Sequence, residues 1–154
     1  GLRIGWIGCQ DRELLSKMER MKHYLSICNS GPSEKLTMIA LRNRETILAR
    51  NCAIIDANLV HLNAFFARHK ELFDWQQPDA SCMAYPRYNG TEGVEEFVRS
   101  LIEDSSLLLL PGSIYASALT ESPQNHFRIG FGRRGMEEGI AVLEQHIERS
   151  GSRA

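Results

Sequence analysis

From Arg44 to about Phe73 apolar residues recur at helical spacing almost without a break, at Ile47, Leu48, Ile55, Leu59, Leu62 and Phe66, with charges alternating between them. The pattern predicts a helix roughly 45 Å long at about 1.5 Å per residue. A chain of 154 residues builds one substantial core or two small ones, and a helix of this length is expected to bridge two bodies. The segments on its two sides read differently.

Ahead of it, Leu2 to Gly8 reads as a buried strand, with Leu2, Ile4 and Trp6 on one face and Arg3, Gly5 and Ile7 on the other. Asp11 is then an N-cap, and Leu14, Leu15, Met18, Met21 and Leu25 mark a helix to about Ile27. Cys28 to Pro32 breaks it, and Pro32 suits the first turn of a second helix carrying Leu36 and Ile39. The chain opens on Gly1, directly into an apolar strand, and is expected to be a piece of a longer protein.

Beyond the polar stretch Asp74 to Asp79 the elements shorten. Ser81 to Tyr85 reads as a strand stopped by Pro86, and Thr91 as the cap of a helix with Val94, Phe97, Val98, Leu101 and Ile102 on its apolar face. Leu107 to Leu110 and His126 to Phe131 are further strands, and a last helix runs from about Gly135 to Arg149 with Met136, Ile140, Leu143 and Ile147 inward. This part reads as helices packed on a short sheet.

Charge narrows the function classes. Net charge is −1 and basic residues are interleaved with acidic ones, which argues against nucleic acid as a partner. No apolar run approaches membrane-spanning length, so no membrane partner is expected. Cys9, Cys28, Cys52 and Cys82 form no C-x-x-C pair and signal neither a zinc site nor a disulfide framework; no metal is expected, and reduced thiols fit a cytoplasmic protein.

Two arginines stand out on short apolar strands, Arg3 in Gly1-Leu2-Arg3-Ile4-Gly5-Trp6 and Arg128 in Phe127-Arg128-Ile129-Gly130-Phe131. A guanidinium in such a setting needs a partner to replace its water, and the planar fork matches carboxylate and phosphate. The pair fits a ligand with two acidic ends. From spacing alone, Arg128 reads first as a solvent-facing strand residue, and the alternative for Arg3 is a buried structural ion pair at the edge of a sheet. His126 shares a face with Arg128 but reads as a packing residue. Ser113 and Tyr115, after a Pro-Gly turn, line the substrate side or pack the loop; Asn29 and Ser30 read first as helix caps.

The order of these motifs resembles the C-terminal part of class I/II aminotransferases, which are fold-type I pyridoxal-phosphate enzymes of the aspartate aminotransferase superfamily. The resemblance rests on the strand Gly1 to Trp6, the helix after it, the long helix, Pro86-Arg87, the loop Leu109-Leu110-Pro111-Gly112-Ser113 and the strand Phe127 to Arg133. It implies an α/β fold comprising the end of a large domain (1–43), a long bridging helix and linker (44–79) and a small α/β domain (80–154). It also implies that Arg3 holds the phosphate of pyridoxal 5'-phosphate and that Arg128 pairs with the substrate α-carboxylate. The family's Schiff-base lysine is expected upstream of Gly1, so no catalytic residue is expected within this chain. Lys17, Lys22, Lys35 and Lys70 read as polar positions of helical patterns, and none is expected to serve as the Schiff-base nucleophile. The implied function is amino-group transfer between an amino acid and a 2-oxo acid by a cytoplasmic homodimer, with this chain alone inactive. An effector-binding aminotransferase-like domain of a transcriptional regulator, or a decarboxylase or carbon–carbon synthase on the same fold, are the alternatives.

Overall fold

The computed structural model describes residues 1–151. The chain forms two compact units, Gly1–Ala49 and Arg50 onward, with the boundary inside the long helix.

In the first unit, residues 2–8 form no strand, contrary to the sequence reading, and Arg3 takes a left-handed backbone with φ 56°. A strand satisfies its N–H and C=O groups through neighbouring strands, and no described strand pairs with this segment. Helix α1 (Arg12–Leu25) starts as expected, the Asp11 carboxylate accepting from the N–H groups of Glu13 at 2.9 Å and Leu14 at 3.0 Å. It stops just short of Ile27, which sits at φ 57° and cannot continue a right-handed helix. Helix α2 (Gly31–Arg42) carries Pro32 in its first turn. None of the residues of α1 and α2 is buried, so the apolar stripe through Leu14, Leu15 and Leu25 stands open among the described residues.

Helix α3 (Arg44–Arg68) is the predicted long helix, but at 25 residues it spans about 37 Å and ends at Arg68, well before Phe73. The N–H groups of Leu72 and Phe73 both turn back to the His69 carbonyl, at 3.0 and 3.1 Å, and Phe73 leaves the helix for strand β1 (Phe73–Asp74). There follow β2 (Met83–Ala84), β3 (Arg87–Tyr88), α4 (Val94–Ser105), β4 (Leu110–Pro111), a 3₁₀ turn (Gly112–Tyr115), β5 (Phe127–Gly130) and α5 (Met136–Gly151).

The strands make two antiparallel assemblies. A ribbon pairs Phe73 with Tyr88 and Asp74 with Arg87, and a three-stranded sheet of order β2-β5-β4 pairs Ala84 with Ile129 and Leu110 with Arg128. An isolated bridge between Arg87 and His126 joins them. The paired stretches are shorter than the sequence implied, and β4 includes Pro111, which is tolerated because β4 lies at the sheet edge. Thr91 is not the cap of α4. Gly93, at φ 79°, holds that position, because the Tyr88 hydroxyl draws the Glu92 side chain into a hydrogen bond and the Gly93 N–H turns back to Gly90. Val94, Phe97, Val98 and Leu101 are buried on α4 as expected, whereas Ile102 is exposed.

The core of this unit takes Leu62, Phe65 and Phe66 from α3 together with Leu101, Phe127, Phe131 and Leu143. Phe73 is its hub. Its ring centroid lies 5.8 Å from Phe65, 5.5 Å from Phe66, 5.5 Å from Tyr88, 5.9 Å from Phe97 and 5.9 Å from Phe127. Asn58 of α3 is 6% exposed, and its amide donates to the carbonyls of Phe131 at 2.8 Å and Arg133 at 2.7 Å. This satisfies two acceptors where β5 runs out and ties that end of the strand to the helix. At the end of α3, Arg68 makes two bonds to Glu144 of α5, at 2.9 and 3.1 Å. Burial raises the Glu144 carboxyl pKa, but Arg68 and His69 outweigh it and hold the carboxyl below its ordinary value.

Phe73→Ala should cost about 3–5 kcal/mol, because it removes a ring that five others touch and leaves a cavity. Urea unfolding followed by tryptophan emission measures it, since Trp75 stacks on Phe66 at 4.3 Å within the same cluster. A loss under about 1 kcal/mol would show that the cluster closes without its hub.

Candidate functional site

Arg128 sits in the middle of β5, where alternation buries Phe127 and Ile129 on the core side and sends the arginine to the opposite face. This is the face division read from the sequence. Its guanidinium makes no hydrogen bond or ion pair among the described residues, unlike Arg68 on Glu144 and Arg99 on Glu96 and Glu103. Its Cζ lies 5.5 Å from the centroid of the Tyr115 ring. Both line a cleft of about 550 Å³ walled also by Pro78, Met83, Tyr85 and Pro123. Gln76, Thr120, Ser122 and the carboxylate of Glu121 add to the lining, so a volume of this order, with one uncommitted cation among apolar and polar walls, suits a small organic molecule with an anionic end.

Three contacts hold Tyr85, which lines the cleft with Arg128. The Tyr85 ring stacks on His126 with centroids 5.1 Å apart and planes 20° apart. The Gly112 N–H donates to the His126 carbonyl at 2.7 Å, which turns the chain at the end of β4. A Cβ at Gly112 would lie 2.3 Å from the Tyr85 hydroxyl oxygen, so the glycine makes room for that phenol. Burial pushes the Tyr85 phenol above its ordinary pKa, with Tyr115 adding to the shift. The turn then carries Tyr115 to Arg128.

The other sequence candidates fall as follows. Arg3 belongs to the first unit, is exposed, and has no side-chain partner among the described residues, so the structural ion pair weighed for it does not form. His126 stacks on Tyr85 and its Nδ1 donates to the Gln124 carbonyl at 2.7 Å, a packing and turn role. Ser113 lies exposed in the 3₁₀ turn. Asn29 accepts from Lys22 at 3.0 Å and donates to Glu34 at 3.1 Å, and Ser30 is the N-cap residue of α2 without a side-chain bond, so both serve the helix junction. All four lysines are exposed, Lys17 paired with Glu13 at 2.7 Å and Lys22 bound to Ser26 at 2.6 Å. No group of three His, Cys, Asp or Glu residues among the described ones can hold a metal ion. No described helix is long and apolar enough to cross a membrane. Sequence reasoning missed Tyr85; the signal was the aromatic residue directly before Pro86 together with the glycine at 112.

No protein-family model matches the chain, and no curated protein matches it. Solved structures do. A pyridoxal-phosphate-dependent aminotransferase from Streptococcus suis superposes with a TM-score of 0.81 at 22% identity, over 97% of this chain and 38% of that one. A PLP-dependent cyclase, OrfR, gives 0.74 at 24% identity, over 90% of this chain and 37% of that one. The α-aminoadipate aminotransferase LysN from Thermus thermophilus, complexed with N-(5'-phosphopyridoxyl)-L-leucine, gives 0.74 at 15% identity, over 92% and 37%. The chain thus spans under two-fifths of the length of these structures. At these TM-scores this chain has the fold of the C-terminal part of a fold-type I pyridoxal-phosphate-dependent aminotransferase.

Proposed function

We propose that the chain is the C-terminal portion of a pyridoxal-phosphate-dependent aminotransferase that, when complete, moves an amino group between an amino acid and a 2-oxo acid. The observation that carries this is the uncommitted Arg128 guanidinium at a cleft on a fold shared with aminotransferases. The chemistry of the donor set fits the edges of the cofactor and substrate. Arg3 offers an exposed, unpaired fork that suits a phosphate, whereas none of the four exposed lysines is placed to hold the cofactor covalently. As the resemblance implies, this proposal puts the covalent lysine in a part of the protein outside this chain.

When bound, the cofactor supplies the electron sink for breaking bonds at the amino-acid Cα. The residues of this chain position what reacts. Arg128 takes the substrate α-carboxylate through two parallel N–H···O bonds, fixing the rotation of the amino acid about its Cα–carboxylate bond. Its strand is held from moving on the core side by Phe127 and Ile129. Arg3 anchors the phosphate. Division into a large-domain end (1–43), a bridging segment (44–79) and a small domain (80–154), homodimeric assembly and a cytoplasmic location belong to the same proposal. A second reading, another reaction of the same cofactor, draws on the cyclase that shares this fold.

In the complete enzyme, Arg128→Ala should lower the specificity constant for the amino acid by about 30-fold to several-thousand-fold, and Arg128→Lys should recover little, because an ammonium does not reproduce the fork. Half-reaction kinetics measure it, and an unchanged constant in Arg128→Ala removes the assignment. Arg3→Ala should loosen the cofactor more than the substrate, so that pyridoxal phosphate is lost on dialysis where the parent retains it. The 154-residue chain by itself should show no amino-acid turnover and no borohydride-fixed cofactor on a single lysine, as mapped by mass spectrometry. A stoichiometric adduct with turnover would make the chain a self-sufficient enzyme.

A further inference from the structure

The partner of Arg128 within the protein is a ring face and not an acid. That choice has a chemical reason. A carboxylate beside Arg128 would occupy the fork's in-plane donors and compete with an incoming anion. A tyrosine face attracts the cation through its quadrupole while leaving the N–H groups around the guanidinium edge free. At 5.5 Å the contact is within the range of an attractive cation–π interaction, and Tyr115 reaches it because the turn Gly112–Tyr115 folds back from β4, whose Leu110 pairs with Arg128 itself. The turn is fixed at its other end by the Gly112 bond to His126 and by the Tyr85 phenol lodged against Gly112.

We infer that Tyr115 is a positioning residue for Arg128. Its ring holds the guanidinium over the cleft with its donors free, so that a carboxylate meets a fork already oriented. The inference rests on the reading of Arg128 as the carboxylate-binding residue. Arg128 is exposed, and a long side chain in that setting samples many rotamers unless something restrains it. The restraint acts on the arginine before any ligand arrives, and the phenol hydroxyl plays no part in it.

The test uses the complete enzyme, labelled with ¹⁵N, and follows the Arg128 Nε–Hε signal with and without pyruvate as the probe. In the unliganded enzyme the Tyr115 ring should shift this signal away from its free-arginine position. Tyr115→Phe keeps the shift, and Tyr115→Leu and Tyr115→Met both abolish it while the β5 amide signals stay in place. Pyruvate should move the Arg128 signal in the parent. Its Kd should change less than about two-fold in Tyr115→Phe and rise about two- to five-fold in Tyr115→Leu and Tyr115→Met, the size expected of an exposed cation–π contact. An Arg128 signal identical in the parent and both aliphatic variants overturns the inference whatever pyruvate does. Equal Kd values in the parent and the aliphatic variants, with binding lost in Arg128→Ala, also overturn it while sparing the carboxylate reading. Pyruvate binding that survives Arg128→Ala unchanged, or an absence of any pyruvate effect in the parent, overturns that reading and the inference together.

Discussion

The second unit depends on the departure of Phe73 from helical geometry. Held in α3, its ring would follow the helix surface; released by the turn at His69, it stands among rings drawn from α3, β3, α4 and β5. Aromatic pairs at edge-to-face and tilted angles add to the burial of large apolar areas, and here one residue collects five of them. The one-residue commitment fixes the register of the ribbon through its pairing with Tyr88 and, through Phe127, the inward face of the strand that bears Arg128. The cleft is therefore a by-product of core packing on the far side of the same strand.

Where the sequence was legible, a local signal agreed with the tertiary one. Asp11 capping α1, Pro32 in the first turn of α2, and the alternation around Arg128 all involve neighbours within a few residues, and all three stand as read. The failures have a common physical origin in non-local demand. Phe73 fits the period of α3, and only rings far along the chain explain why it leaves. Thr91 is a good cap by type, yet Glu92 is engaged by Tyr88 and the helix starts after Gly93. The strand read around Arg3 has the right residues and, among the described ones, no partner to pair with.

The candidate site divides the same way. The family pattern pointed to Arg128 by its position in a motif, and the structure adds what a motif cannot carry: a free guanidinium, a ring under it and a walled space beside it. Tyr85, His126 and Gly112 come from three separate segments, and their joint role rests on a stacking distance and on the space a missing side chain leaves. No spacing rule brings those three together. Arg3 lies in the first unit, so its role as the phosphate anchor rests on residue chemistry and on the resemblance alone.

The paired bonds of Asn58 make α3 and the exit of β5 a single lever. Because one amide grips the carbonyls of both Phe131 and Arg133, sliding the strand past the helix would break two hydrogen bonds, one of them buried. The strand that bears Arg128 is thus anchored at its exit to the C-terminal half of α3, so a substitution at Asn58 would be felt at the cleft without touching it.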